Sequence, residues 1–447
     1  MRRLLLLLAL AGSTAVVAAQ DHEAAPDSVV AFIDVNVVPM DTPRILAHHT
    51  VVVRQGQIAV VASAAEVTLP DDAVQIDGRG RYLMPGLADM HTHVNHAEDL
   101  LPYLANGVTT VLNLGSPAAI LDLRTQTAAG TLLGPTIFAA AFVDGVPGTW
   151  PARTPDEARA TVRRIKAEGW NFVKAYNRIE LDAYHALMDE AKQHGIAVVG
   201  HGVRAPGMRG ILEAGQVMIA HAEEYLYTHF RHTKDPTALI PSAVAMTARA
   251  GAYVVPTLST YETIAAQWGN PAGFDALLKN PAVRYVTPFR VEKWTHQNRY
   301  LERKGTLDDQ LIFQRKFVKA LHDSGVPLLL GTDSPPIPGV VPGFSIHAEL
   351  RNMILSGLTP YQALRAGTYN AGVFITTYVP DAEAFGTIEV GRRADLLLLD
   401  ANPLDDVAHV QQRLGVMIGG RWLPEATLQR HLDTLATSFT RKHQDSK

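Results

Sequence analysis

The sequence predicts an α/β protein: a closed (β/α)8 TIM barrel carrying a small β-sandwich formed by both termini. Three observations predict it. Short apolar strand-like runs alternate with helix-period segments across residues 84–383, the signature of repeated βα units. Residues 28–83 and 384–447 are instead rich in short alternating strands with glycine turns, so the two ends can pair outside the barrel. Histidine, lysine and aspartate recur where barrel strands end, the face on which such barrels gather their polar side chains.

Residues 1–19 open with Met1-Arg2-Arg3, continue through an apolar run and close on Val17-Ala18-Ala19. A basic start, short apolar core and small residues describe a cleaved signal peptide, and hence a periplasmic or secreted protein. The alternative, a retained anchor, is opposed by a run too short for a comfortable bilayer span, and no later stretch predicts one. Strands follow at 29–38, 50–54 and 57–61, the last two joined by a hairpin-like Gln55-Gly56 turn. At the other end, residues 386–388 lead into a strand-rich 391–400, and 416–423 read as a closing hairpin.

Between these ends, strands are expected at the His-x-His run ending at His93, then at 107–115, 136–142, 171–176, 196–201, 217–221, 252–257 and 327–333. Thr154, Pro155 and Glu157 form a helix start as N-cap, N1 and N3. A second helix runs from Leu181 to His194 and stops at Gly195. Two connections, about 223–241 and 259–306, exceed ordinary linkers and leave the C-terminal ends of strands; the second is expected to be a helical lid or substrate cap.

Composition narrows the chemistry. With 40 Lys+Arg against 44 Asp+Glu, the formal net charge of −4 gives no support to nucleic-acid binding. There is no cysteine, which excludes disulfides and thiolate catalysis. Stability must come from a large core, which 47% hydrophobic residues can supply. A homo-oligomer is compatible with the sequence.

His91-Thr92-His93 ends the first barrel strand, and residues i and i+2 of a strand share a face. Two imidazoles projecting together suit two ligands on one metal ion, at about 2.0–2.1 Å for zinc. Lys174 lies on the fourth strand, His201 ends the fifth, His221 the sixth and Asp333 the eighth. Singly each has a bland reading: a hydrogen-bonded histidine, a snorkelling lysine, a turn-capping aspartate. Together at one end of one barrel they read as a two-metal hydrolytic site.

The run Met84-Pro85-Gly86-Leu87-Ala88-Asp89-Met90-His91-Thr92-His93 resembles the entry motif of the amidohydrolase superfamily. Gly391-Arg392-Arg393-Ala394-Asp395-Leu396 and Asn402-Pro403-Leu404 resemble its C-terminal signature. The similarity is greatest to the imidazolonepropionase-like and prolidase-like branch of metal-dependent amide hydrolases. The resemblance implies metal ligation by His91, His93, Lys174, His201, His221 and Asp333, with Lys174 carrying a CO2-derived carbamate that bridges two divalent ions, zinc by default, with manganese or cobalt as alternatives. It further implies attack by a bridging hydroxide, with Asp333 as the catalytic proton carrier.

Tyr225, Tyr227, His229 and His232 follow the sixth-strand histidine; Tyr261, Trp268, Arg290 and His296 lie in the longer insertion. Of these, Tyr225, Tyr227, His229, Tyr261 and His296 are the candidates for binding substrate, the alternative being that they pack the insertions against the barrel. The expected activity is hydrolysis of C–N amide bonds in dipeptides, including prolidase-type ones, or N-acyl amino acids, including aromatic conjugates. A cyclic amide, lactone or phosphoester hydrolase, or a non-catalytic metal-free binding protein, are the alternatives on the same scaffold.

Overall fold

The computed structural model describes Glu23, residues 28–115 and residues 117–445; the expected leader, residues 1–19, lies outside the described residues. Seven parallel strands follow one another around the barrel: Leu87–Thr92, Val108–Asn113, Thr136–Val143, Phe172–Ala175, Ala197–Gly200, Met218–Ala220 and Tyr253–Val255. The expected eighth strand is not regular, yet it closes the ring. Leu329 N–H donates to Val254 (2.9 Å), Met90 N–H to Leu330 (2.8 Å), and His93 N–H to Ser334 (2.7 Å). A reason for the irregularity lies at Gly331, where a Cβ would stand 2.5 Å from Val255 Cγ1 and 3.0 Å from the His91 nitrogen. The chain approaches its neighbours too closely there for an ordinary pleat.

Alternation along these strands builds two cores. Ala88, Met90, Leu112, Phe138, Ala140, Phe172, Val199, Met218, Val255 and Leu329 pack together inside the barrel. Their neighbours of opposite parity, among them Leu87, Val111, Ile137, Val173, Val198, Ile219 and Val254, face the helices. Helix Tyr369–Tyr378 plugs the N-terminal end of the barrel, with Phe374 stacked on Phe172 (ring centroids 5.6 Å apart).

Both termini meet in one eight-stranded sheet. Its order is Arg421–Pro424, Arg413–Ile418, Leu396–Leu399, Tyr82–Pro85, Val30–Val37, Leu46–Arg54 and Gln57–Ser63, with Val74–Asp77 also pairing Val30–Val37. Val30–Val37 runs parallel to Val74–Asp77 and Tyr82–Pro85, and the remaining pairs are antiparallel. The Gln55-Gly56 turn has positive φ at both residues (48° and 75°), the twist-matched geometry of a two-residue hairpin. Residues 386–388 form no strand.

Thr154 caps helix Pro155–Ala167 by accepting from the Glu157 N–H, as its spacing predicts. The sixth-strand connection holds Glu224–Tyr227 and a 3-10 turn, Thr237–Leu239, before helix Ile240–Ala250. The seventh is a helical cap of Leu258–Gln267, Pro271–Leu278, Pro281–Tyr285 and Pro288–His296, pinned where Trp294 Nε1 donates to the Pro335 carbonyl (2.9 Å). Among the described residues no helix is long and apolar enough to cross a membrane.

The Gly391–Asp395 turn fastens sheet to barrel. Buried Arg393 pairs with Asp395 (2.6 Å) and donates to Thr110 Oγ1 of the second barrel strand (2.6 Å). Breaking such a buried pair leaves an uncompensated carboxylate, so R393A is expected to lower unfolding free energy by about 3–5 kcal/mol, measured by urea denaturation.

Candidate active site

Simple alternation would send the first histidine pair the wrong way. Ala88 and Met90 face the barrel interior, so His91 would turn outward on a regular strand. The register between the first and second strands shifts between Asp89 and Thr92, an irregularity that brings His91 and His93 inward. His221 meets the same problem one residue after interior Ala220 and solves it with a left-handed backbone, φ 75°. Thr257 (φ 50°) and Asp333 (φ 56°) are also left-handed. Such conformations cost roughly 1–3 kcal/mol each and persist where surrounding bonds hold them.

The six predicted ligand residues converge. His93 Nε2 lies 2.9 Å and His91 Nε2 3.2 Å from Asp333 Oδ1, and Lys174 Nζ is 3.4 Å from His91 Nε2. His201 and His221 face each other through their Nε2 atoms at 3.2 Å. The His91 and His221 rings lie 4.5 Å apart, joining the two groups.

Hydrogen bonds at the far side of the His93, His201 and His221 rings define which nitrogen carries the proton; His91 Nδ1 is buried and makes no hydrogen bond among the described residues. His93 Nδ1 donates to the Gly115 carbonyl (3.0 Å) and His201 Nδ1 to Glu224 Oε1 (2.6 Å). His221 Nδ1 meets Thr257 Oγ1 (2.7 Å), whose own hydrogen goes to the Pro256 carbonyl (2.8 Å). In neutral rings the three Nε2 atoms are therefore bare lone pairs, aimed at one another and at a carboxylate. Acceptors packed this way repel unless a cation lies among them, so the donor set fits divalent metal. His91, His93 and Asp333 by themselves form a compact three-ligand group.

Burial favours the neutral form of His91, His201 and His221. It pushes His91 well below its ordinary value, with Lys174 adding to the effect, lowers His201, and takes His221 down to about 3. Burial would raise the Asp333 carboxyl, but its close neighbours His93, His221 and Lys174 hold it far below the carboxylate range. Burial also lowers Lys174 to about 8, partly countered by Asp333 and Glu224. Lys174 is 1% exposed, makes no ion pair among the described residues, and lies beneath the Phe142 and Tyr176 rings.

Several further residues support the site. Glu224 receives both His201 and Arg204 (Nη1 to Oε2, 2.5 Å), and these partners outweigh burial to hold it at about 2. Asn113 Oδ1 accepts from Thr92 Oγ1 (3.2 Å) and Val94 N–H (2.6 Å), bracing the His91–His93 segment. Asp89 accepts from the Thr332 N–H (2.9 Å) and hydroxyl (2.6 Å) beneath the site. Burial raises it to about 7 against those bonds. The Tyr176 ring packs 4.3 Å from His201. The only sequence signal for Glu224 is its place three residues after His221.

The predicted substrate residues divide. Tyr227 and Tyr261 stand near Glu223, whose carboxyl is raised to about 8 by burial and by Glu224 and Asp333. Tyr225 is instead core: it is fully buried, bonded to Thr247 (2.7 Å) and packed on Phe317. His229 bonds Ser242 (3.0 Å) and edges onto Phe230, which ties it to helix Ile240–Ala250 and not to the ligands. His296 lines a groove of about 930 Å³ between the cap and the C-terminal helix Glu425–Asp445. Tyr225 is thus turned into the core by its amphipathic helix, while His229 and His296 lie on other faces, away from the ligand cluster.

Residues 82–423 match the amidohydrolase family. Over 90 residues the chain is 33% identical to an ochratoxinase of Aspergillus niger, a match covering 20% of this chain and 17% of that protein. A candidate prolidase from Bifidobacterium longum superposes with a TM-score of 0.66 at 27% identity, over 92% of this chain and 99% of that one. A bottromycin amidohydrolase superposes with a TM-score of 0.74 at 23% identity, over 94% and 92% of the two chains, and bears on the fold alone.

Because Glu224 both orients His201 and raises its basicity, E224A is expected to weaken divalent-metal binding by about 10–100-fold, read by chelator competition.

Proposed function

The chain belongs to the amidohydrolase family, and we propose that it is a hydrolase of carbon–nitrogen bonds that cleaves the amide bond of dipeptides or N-acyl amino acids at a two-metal centre. The observation that carries this reading is the convergence of imidazole nitrogens and one carboxylate around a buried lysine that makes no ion pair among the described residues. His91, His93 and Asp333 would hold one ion and His201 and His221 the other, with Lys174 as a carbamate between them. When bound, the ions, zinc in the first instance, supply Lewis acidity toward the scissile carbonyl and lower the pKa of water to about 7.

The chain does the rest. A free ammonium cannot ligate a cation, and burial at Lys174 favours the neutral amine from which a carbamate forms. Asp333, facing His91 and His93, takes the proton of the attacking water and returns it to the leaving nitrogen. Tyr176 and Phe142 wall the site above Lys174.

Substrate choice rests on the cap. Arg299 makes no ion pair among the described residues; its guanidinium donates to the Tyr300 hydroxyl (3.4 Å) and lies in the field of Tyr176 and Glu223. A guanidinium so placed suits a substrate carboxylate. Residues 1–19 support export, testable by N-terminal sequencing of the protein recovered outside the cytoplasm.

The deciding experiment reconstitutes the protein with zinc or manganese and screens dipeptides and N-acyl amino acids for released amine. A protein that retains no metal and releases no amine sinks the proposal. D333N is expected to fold normally and lose about 10²–10⁴-fold in kcat. R299A is expected to raise KM about tenfold for carboxylate-bearing substrates while leaving their carboxamide analogues unaffected, as measured by steady-state kinetics.

A further inference from the structure

We infer that Glu349 is a positioning residue for the metal centre: it fixes His221 and Asp333 through the first turn of helix Leu258–Gln267 while touching neither. This rests on the two-metal reading above.

The helix Leu258–Gln267 has no local side-chain cap. Its N-cap residue, Thr257, makes no side-chain capping bond. An N-cap threonine ordinarily takes extended backbone and accepts from the N2 or N3 N–H. Here Thr257 is left-handed, and its hydroxyl is spent between His221 Nδ1 (2.7 Å) and the Pro256 carbonyl (2.8 Å). The cap has been diverted to a ligand imidazole, which leaves the first N–H groups of the helix without a local acceptor.

Glu349 replaces it from another element. It lies in helix Ser345–Leu355 and is fully buried. Its Oε1 accepts the Leu258 N–H (3.0 Å) and its Oε2 the Ser259 N–H (2.6 Å). A carboxylate at a helix N-terminus also suits the positive end of the helix dipole. The same turn reaches a second ligand: the Thr260 hydroxyl donates to the Thr332 carbonyl, one residue before Asp333. Thr332 is held from the other side by Asp89. One helical turn therefore bears on the sixth-strand histidine and the eighth-strand aspartate, and Glu349 is what frees Thr257 to do so.

Without the Glu349 carboxylate, the Thr257 hydroxyl becomes the nearest replacement cap. Turning toward the helix N–H groups, it abandons His221 Nδ1, and the ring loses the contact that defines its tautomer and angle. The loss would appear in the metal site before it appears in the fold.

The test titrates the full-length apoprotein with cobalt(II), following stoichiometry, chelator-competition affinity and the visible absorption spectrum. The wild type is expected to take two ions. E349Q is expected to bind one of them about 10–100-fold more weakly with an altered spectrum, and to lose kcat with little change in KM. T257V is expected to reproduce the spectral change and T257S to restore the wild-type spectrum. If E349Q binds both ions with wild-type affinity and spectrum, the inference is overturned, even if the variant is less stable. If E349Q does not fold, T257V decides: wild-type binding by that variant overturns the inference. A wild type that binds no cobalt would overturn the two-metal reading itself, a distinct result.

Discussion

The structure turns on a repulsion that the chain maintains deliberately. Three imidazoles are bonded at Nδ1 so that their Nε2 lone pairs point inward, and the Asp333 carboxylate joins them in a buried barrel mouth. Among the described residues of that shell, Lys174 and His91 can still donate a hydrogen bond, and Lys174 is the residue whose amine burial drives toward neutrality. A set of acceptors held at close quarters is stable when a cation completes it. Much of the surrounding architecture exists to hold these groups in place: Glu224 and Arg204 behind His201, Asn113 beneath the histidine pair, Asp89 under the Asp333 loop.

Holding them requires departures from regular geometry. A register shift turns His91 and His93 into the barrel; left-handed backbone turns His221. The eighth segment gives up strand regularity because Gly331 lies against its neighbours and Asp333 takes φ 56°. The interior below follows ordinary alternation, with Met90, Phe172, Val199 and Met218 filling the barrel on a plug of Phe374. Stable packing at one end thus supports strained, polar geometry at the other, the division of labour that barrel enzymes share.

The cap built from the seventh-strand insertion borders the site. Trp294 anchors it to the loop after Asp333, and Arg299 and Tyr300 lie on the segment that follows. Glu223, Tyr227 and Tyr261 approach from the sixth- and seventh-strand elements, so the mouth is ringed by groups of both charge signs and by phenols. Such a ring suits a small molecule with a charged end and an amide between.

The sequence by itself determined the class of fold and the ligand types. Strand and helix periods from Leu87 onward predict βα units, glycine turns predict the terminal sheet, and the residues at the strand ends include the six that converge. Periodicity and residue chemistry are local properties, legible without coordinates. What they could not reveal is direction. Strict alternation would point His91 away from the site, and the shift that reverses it depends on pairing with a strand twenty residues on. Nor could spacing separate Tyr225, which is core, from Tyr227, two residues later, since both belong to one short helix whose buried face is chosen by Phe317 and Thr247. The role of Thr257 lay beyond reach for the same reason. A threonine before a helix reads locally as its cap, and only contacts with His221 on one side and Glu349 across the fold decide that it serves the site instead.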